Sequence, residues 1–308
     1  MRQVMDVIQR KVFYSTVRII CGLFCLLSLQ ALNAEPAASK VLHPQGLLWK
    51  LQKTGQPDSY LFGTIHMSDD RVLRLVDVVD DSIINSDVFA MEVLLDKAGQ
   101  QSLAQSTFFS SGELLQDYID DVMLDQINII MFQYYGIRPA VVNQMKPWAV
   151  MATISSPPPE SNKTVLDIEL QNLAAEHQRT VIGLETVEEQ MQVLAGMKLS
   201  DQLWLLTKTV EDFHETMPMW ERLIESYLRR DLQALMKEQE SMMDDSSTID
   251  DRFMEKLLDK RNVVMAERMM SIMKNNSLFA AIGALHLPGK KGVLHLLEKA
   301  GYQVSPVY

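Results

Sequence analysis

The pattern Gly-x-x-His occurs twice in the chain, from Gly63 to His66 and from Gly283 to His286. A short apolar run precedes each pattern, as expected of a strand that is buried on both faces. The glycine lets another backbone or a ligand approach closely, and the histidine stands where the strand ends. Imidazole binds divalent metals and transfers protons near neutral pH. The two histidines are therefore candidates for one site, although a single histidine after a strand is more often a structural residue.

Two carboxylates also follow apolar runs. Glu92 comes directly after residues 88–91, and Glu185 directly after residues 179–184. In an open α/β sheet, ligands bind at the carboxyl ends of the strands, so these carboxylates and the two histidines are expected to meet there. Two imidazoles with one or two carboxylates, and no thiolate, suit a divalent Zn, Mn, Co or Fe ion. Such an ion activates water for hydrolysis by lowering its pKa.

The segment between His66 and Glu92 determines how these two residues are placed. Residues 72–84 have apolar side chains at a spacing of three to four, which predicts an amphipathic helix. A strand, a helix and a second strand predict a parallel pair whose ends lie at the same edge, with Glu92 close to His66. The two Gly-x-x-His stretches would then form opposing walls of one site.

The other elements are predicted from periodicity and turn residues. Residues 46–51 and 60–65 are predicted to form a hairpin, and the segments at about 112–155 and 199–275 are mostly helical in pattern. Pro147 should start or kink a helix, and Met217-Pro218 should divide two helices. The fold class is therefore α/β, a central sheet flanked by helices with a large helical insertion.

Residues 1–34 have the order of a secretory signal. Basic residues precede the apolar stretch 19–32, which is followed by Asn33-Ala34. Fourteen apolar residues are short for a membrane span, which needs about 20, although a retained anchor is the alternative. Cys21 and Cys25 both lie in this segment, so the mature chain has no cysteine and forms no disulfide, thiolate metal site or cysteine nucleophile. We expect an exported, periplasmic or secreted protein without stable membrane insertion.

The composition is that of a folded globular protein, with 47% apolar and 22% charged residues among 308. Residues 35–308 are expected to form a single domain. Removing residues 1–34 takes away four basic residues and one acidic residue, so the formal charge of −11 becomes −14. Such an acidic surface argues against nucleic acid or anionic lipid as the main partner.

Several motifs together resemble the TraB/PrgY/GumN family, which includes the Tiki metalloproteases. The resemblance covers about residues 45–308 and is nearest to the bacterial GumN-like branch. The matching stretches are LFGTIH (61–66), Met91-Glu92, GLET (183–186) with Glu189-Gln190, Arg261-Asn262, GALHLPG (283–289) and GYQVSPV (301–307). The resemblance implies an α/β fold related to the erythromycin-esterase and ChaN-like group, with two similar halves that meet at the site.

The resemblance also implies roles for individual residues. His66, Glu92 and His286 would bind a divalent metal, Mn, Co or Zn. Glu185 would be a second carboxylate, either ligand or general base, and Arg261 would bind a substrate carbonyl or carboxylate or stabilise an oxyanion. Asn262 would also contact substrate. The remaining histidines are interpreted as surface or structural residues: His43, His177, His214 and His295.

These roles predict an exported metal-dependent hydrolase, a peptidase, that acts on a peptide or small-molecule substrate. The sequence lacks the His-Glu-x-x-His helix of common zinc peptidases, so the reaction class depends on the family resemblance. Two alternatives remain open. One is a non-catalytic protein that sequesters a peptide or small ligand, and the other is a haem- or iron-binding protein, suggested only by the analogy with ChaN.

Overall fold

The structure is a computed structural model that describes residues 41–110, 112–160, 163–241 and 248–308. The predicted signal at residues 1–34, with both cysteines, lies outside the described residues. Within those ranges, none of the helices combines the length and the apolar composition that are needed to cross a membrane.

In the described residues, six strands form one mixed sheet flanked by helices, which confirms the predicted α/β class. The strands are β1 (Leu48–Gln52), β2 (Ser59–Thr64), β3 (Val88–Val93), β4 (Thr180–Glu185), β5 (Leu278–Gly283) and β6 (Gln303–Pro306). Their order across the sheet is β4-β3-β5-β2-β1-β6. β1 forms the predicted antiparallel hairpin with β2, and β6 pairs with the other side of β1.

The four strands that precede the candidate site residues lie side by side and run parallel. β3 pairs with β4 and β5, and β5 pairs with β2. The carboxyl ends of parallel strands reach the same edge, so the prediction that these four strands end together is confirmed. Two details of the prediction are wrong. β5 lies between β2 and β3, which do not pair directly, and the two Gly-x-x-His motifs end adjacent strands rather than forming opposing walls.

Buried phenylalanines connect the three central parallel strands. Phe89 on β3 and Phe279 on β5 are paired in register and stack with ring centroids 5.9 Å apart. The ring centroid of Phe62 on β2 lies 6.4 Å from that of Phe279. Cross-strand aromatic pairs of this kind contribute about 0.2–1 kcal/mol each. β5 is buried along its whole length, as expected of a central parallel strand, and these contacts help to fix the level at which each strand ends.

Helices occupy most of the remaining described chain. They are α1 (Asp70–Leu73), α2 (Val76–Ile84), α3 (Lys97–Thr107), α4 (Asp121–Tyr135), α5 (Pro139–Val142), α6 (Pro147–Ile154), α7 (Leu166–Glu176), α8 (Val187–Ala195), α9 (Leu199–Glu211), α10 (Phe213–Leu228), α11 (Leu232–Glu240), α12 (Thr248–Met254), α13 (Lys260–Met273) and α14 (Val293–Lys299). Short 3-10 turns lie at Leu115–Asp117 and Ala284–His286, and a π-helical turn, Glu255–Asp259, precedes α13.

Three predictions concern where helices begin or are interrupted, and one of them is confirmed. Pro147 begins α6, as predicted. The helix predicted over residues 72–84 is two helices, α1 and α2, because the chain turns at Arg74 and Leu75. The division predicted at Pro218 is wrong, since α10 continues through it. A proline inside a helix costs about 3 kcal/mol, but the buried face that follows it outweighs this cost: Met219, Trp220, Leu223, Ile224 and Tyr227.

The described residues form two compact units. One is helical in its described parts, and α6 packs against α9 within it; it contains residues 95–110, 112–160 and 187–218. The other includes the whole sheet and contains residues 41–94, 163–186, 219–241 and 248–308. The predicted similarity between two halves of the fold stays a prediction.

Gly63 on β2 lies against the turn that carries the second histidine. A Cβ atom at residue 63 would lie 3.0 Å from Leu287 Cδ2 and 3.1 Å from Ala284 Cα, and the latter belongs to the backbone of that turn. The buried hydroxyl of Tyr227 donates a 2.7 Å hydrogen bond to the Gly63 carbonyl. Glycine therefore allows the ends of β2 and β5 to approach closely, which explains one glycine of the repeated motif.

We expect Gly63→Ala to lower the free energy of unfolding by about 1–3 kcal/mol, the usual cost of overpacking a core. The added methyl group must displace Ala284, because the backbone atom that it meets cannot rotate away as a flexible side chain would. Urea unfolding followed by circular dichroism measures this change. A loss below about 0.5 kcal/mol, the range of ordinary surface substitutions, would contradict the close contact.

Candidate active site

The candidate site lies at the carboxyl edge of the parallel strands, within the unit that contains the sheet. Glu92 lies on β3, Glu185 ends β4, and His286 ends the turn after β5. His66 lies two residues after the end of β2. These side chains are buried, and the most exposed of them is His66 at 10%. The strand ends therefore bring together the residues that were predicted from their spacing.

A buried arginine, Arg261, bridges the two carboxylates. Its Nη2 donates to Glu92 Oε2 at 2.6 Å and to Glu185 Oε2 at 2.7 Å. Its Nε lies 3.0 Å from Glu185 Oε1 and 2.9 Å from Oε2. Hydrogen bonds between charged groups are roughly twice as strong as those between neutral groups, and a forked arrangement also fixes geometry. Arg261 therefore sets the positions of both carboxylates.

Arg261 reaches the carboxylates from the start of α13, directly after the π-helical turn Glu255–Asp259. Its Nη1 donates to the Leu257 carbonyl within that turn at 3.2 Å. Single π turns widen a helix and are frequent at functional sites. The turn thus supplies an acceptor for the side of the guanidinium that faces away from the carboxylates.

Glu92 is held in its ionised form. Its Oε1 accepts the Gly283 N–H at 2.7 Å, so the glycine of the second motif contacts the carboxylate through its backbone. Burial alone would raise the pKa of Glu92. The positive charge of Arg261 outweighs this effect, together with His286, His66 and the Gly283 N–H, and lowers that pKa from 4.5 to about 2.

The ring of His286 is fixed in one tautomer by Asn262. His286 Nδ1 lies 2.5 Å from Asn262 Oδ1, and Asn262 Nδ2 donates to the Lys291 carbonyl at 2.9 Å. A carbonyl can only accept, so the amide nitrogen faces Lys291 and the amide oxygen faces the ring. Nδ1 therefore carries the proton and Nε2 keeps its lone pair. Burial, more than any nearby charge, lowers the pKa of His286 to about 3, so the ring is neutral.

A carboxylate contacts the Nδ1 atom of His66, as the Asn262 amide contacts Nδ1 of His286. Its Nδ1 lies 2.7 Å from Asp167 Oδ2, and Asp167 Oδ1 accepts the Thr64 hydroxyl at 2.6 Å. Burial alone would lower the pKa of His66, but the negative charges of Asp167 and Glu92 raise it above its ordinary value. Each histidine of the site thus has an oxygen atom facing Nδ1, which is the arrangement usual for histidines that bind metal through Nε2.

His286 Nε2 and Glu92 Oε1 are 3.6 Å apart. A hydrogen bond between such atoms spans about 2.7–3.2 Å. Two ligands that lie about 2.0–2.2 Å from one metal in tetrahedral geometry are roughly 3.4 Å apart. The tautomer of His286 makes both atoms electron-pair donors. Their separation and chemistry therefore fit two ligands of one divalent cation.

The third predicted ligand, His66, is near enough to Glu92 and His286 for its charge to act on the pKa of each. Across the ranges that the structure describes, however, no group of three or more His, Cys, Asp or Glu side chains is arranged to hold a metal ion. The assignment of His66, Glu92 and His286 as one set of ligands stays a prediction. Among these three residues, His286 Nε2 and Glu92 Oε1 have a separation, 3.6 Å, that is compatible with two ligands of one metal ion.

Arg261 and Asn262 contact other residues of the site. Arg261 binds the two carboxylates, and Asn262 binds His286 and the Lys291 carbonyl. Both are almost completely buried. Their predicted contacts with substrate, and the predicted role of Glu185 as a ligand or base, stay predictions.

Two buried residues of this region were missed by the sequence reasoning. Asp167 lies on the first turn of α7 and contacts His66, and Tyr227 on α10 holds the Gly63 carbonyl. A signal for Asp167 is present in the sequence, since it falls three residues before Leu170 and seven before Ala174 on the buried stripe of the helix. A carboxylate on an apolar stripe indicates a buried partner. Tyr227 has no comparable signal.

Comparison of the sequence with known proteins finds similar chains. A sequence model of the TraB/PrgY/gumN family matches residues 47–306. Metalloprotease TIKI2 of Xenopus tropicalis is 28% identical over 84% of this chain, and the match spans 59% of that protein. Metalloprotease TIKI1 of Danio rerio is 24% identical over 93% of this chain and 69% of its own length. No solved structure matches.

We expect Arg261→Gln to lower the free energy of unfolding by about 3–5 kcal/mol, since breaking a buried ion pair leaves charge without its partner. Arg71 offers a matched control, because it also bridges two carboxylates, Asp69 and Glu221, but its side chain is 43% exposed. Arg71→Gln should cost at most about 1 kcal/mol. Urea unfolding of chelator-treated protein at neutral pH measures both changes, and equal losses would contradict the structural role of the buried bridge.

The pH dependence provides a second measurement on the same variants. Because the pKa of Glu92 is lowered from 4.5 to about 2 in the folded protein, its contribution to stability is complete above pH 4.5 and is lost as the pH falls toward 2. Without Arg261, burial raises this pKa instead, so ionisation of Glu92 opposes folding as the pH rises. The slope of stability against pH should therefore flatten or reverse in Arg261→Gln. It should change less in Arg71→Gln, where Asp69 and Glu221 lose the hydrogen bonds that lower their pKa values but are 25% and 53% exposed to solvent.

Proposed function

Because the chain belongs to the TraB/PrgY/gumN family, we propose that it is a metal-dependent hydrolase that cleaves peptides. The observation that supports this most directly is the 3.6 Å separation of two electron-pair donors, His286 Nε2 and Glu92 Oε1, in a buried site. The relatives named metalloproteases suggest the reaction class.

The residues that would hold the metal are His286 through Nε2, Glu92 through Oε1 and His66 through Nε2. Imidazole nitrogen with carboxylate oxygen suits Mn, Co or Zn in the divalent state. When bound, such an ion supplies a Lewis acid that polarises a peptide carbonyl and lowers the pKa of water. The role of the chain is then to keep Glu92 ionised, to keep His286 neutral and to hold both at a fixed separation.

Arg261 and Glu185 would act through Glu92. Both oxygens of Glu185 lie within hydrogen-bond distance of Arg261, whose Nη2 donates to Glu92 Oε2. This arrangement favours a positioning role for Arg261 and Glu185 over direct contact with substrate. Gly283 would have the same role, since its N–H fixes the other oxygen of Glu92. A carboxylate that is held at both oxygens loses little freedom when it binds a cation.

We expect the purified protein to bind Mn, Co or Zn and to cleave members of a peptide library, with both properties lost on chelation. His286→Ala should weaken metal binding by more than about 100-fold, because even the hydrogen-bond partners of metal ligands contribute about 10–100-fold. His66→Ala should abolish cleavage. The control is His177→Ala, since His177 is exposed at the end of α7. Metal content, titration calorimetry and cleavage assays measure these effects.

The outcomes of that experiment separate the alternatives. Unchanged metal binding and unchanged cleavage in both histidine variants would contradict the proposal. Metal or peptide binding without cleavage of any peptide would favour a protein that sequesters its ligand.

We also propose that the protein is exported, with residues 1–34 removed as a signal. The support is the order of basic residues, the apolar stretch 19–32 and Asn33-Ala34. Protein recovered from the periplasm or medium of a bacterial host should begin at or near Glu35 when its N-terminus is sequenced. Recovery of the full chain from the membrane fraction would instead indicate a retained anchor.

A further inference from the structure

Asp167 is a buried carboxylate whose contacts are made with the end of β2. It lies on the first turn of α7, is 3% exposed, and is 101 residues from His66 and 103 residues from Thr64 in the chain. In the described part of the chain its ion-pair partner is His66, and none of its contacts there is with a lysine or arginine. Burying a carboxylate without a full counter-charge costs free energy. The burial of Asp167 beside Thr64 and His66 therefore indicates a role that offsets this cost.

The two oxygens of Asp167 have different partners from the same segment. Oδ1 accepts the Thr64 hydroxyl at 2.6 Å, and Oδ2 faces His66 Nδ1 at 2.7 Å. The Leu166 N–H also donates to the Met67 carbonyl at 3.2 Å, so the start of α7 is joined to the chain on both sides of His66. With Thr64 fixing one oxygen, the other is aimed at the ring. A carboxylate accepts hydrogen bonds, so the neutral ring carries its proton on Nδ1.

We propose that Asp167 is the positioning residue of His66. It fixes the Nδ1–H tautomer, so that Nε2 carries the lone pair that the proposed function assigns to the metal. Asn262 makes the corresponding contact with His286, so the two Gly-x-x-His histidines present the same nitrogen with different partners, an anion for the first and a neutral amide for the second. The metal-binding part of this role rests on the proposed function. The tautomer of His66 does not, because it is set in the metal-free protein.

Nitrogen-15 NMR of the imidazoles in the full, metal-free chain at alkaline pH tests the assignment. The His66 signal is identified by its absence in His66→Ala. We expect the Nδ1–H tautomer in the native protein and a mixture containing Nε2–H in Asp167→Ala. Asp167→Asn should restore Nδ1–H, since its amide oxygen can accept from the ring, as Asn262 does at His286, while the Thr64 hydroxyl accepts from its amide nitrogen. Asp231→Asn is the control, because the Asp231 side chain caps α11 by accepting the Ala234 N–H, and it should leave the signal unchanged.

Metal affinity is the second measurement. Asp167→Ala should weaken binding of Mn, Co or Zn by about 10–100-fold, and Asp167→Asn by less. An Nε2–H tautomer in the native protein, or an unchanged tautomer in Asp167→Ala, would overturn the proposal. If Asp167→Ala fails to fold, the native spectrum and that of Asp167→Asn still decide. A native protein that binds no metal but keeps the Nδ1–H tautomer would overturn the proposed hydrolase and leave the positioning of the ring intact.

Discussion

The site depends on one buried guanidinium. Arg261 donates to carboxylates near the ends of two neighbouring strands, Glu92 on β3 and Glu185 on β4. Without a cation between them, two buried carboxylates at adjacent strand ends would repel each other and favour protonation. With Arg261 in place, the pKa of Glu92 falls to about 2 and the carboxylate is available as a charged group at neutral pH. The bridge thus fixes the charge state as well as the geometry of the site.

The position of β5 in the sheet determines which residues contact Glu92. β5 lies between β2 and β3, which brings Gly283 beside Glu92 and the turn Ala284–His286 against Gly63. The first motif is consequently joined to Glu92 through the second motif. The two motif glycines contribute differently: Gly63 allows close packing against Ala284, and Gly283 donates its N–H to Glu92. The Gly-x-x-His pattern therefore has a different structural role at each of its two positions.

The elements and the edge at which they end could be predicted from the sequence, because apolar runs closed by Gly-x-x-His or by glutamate are local signals. The strand order could not, since inserting β5 between β2 and β3 is a pairing over about two hundred residues for which short patterns hold no information. The contacts of Arg261, Asn262 and Asp167 follow from that order. Their sequence signal is only that polar residues occupy the buried stripes of α7 and α13, which indicates partners without identifying them.

The buried carboxylates at the sheet edge each contact a group that carries, or can carry, a positive charge. Glu92 and Glu185 accept hydrogen bonds from Arg261, whereas Asp167 contacts the ring of His66. Burial alone would lower the pKa of His66, but the charge of Asp167 raises it above the ordinary value. A buried carboxylate is stable only when it is paired and hydrogen-bonded, so these contacts explain why the sheet edge can hold three of them.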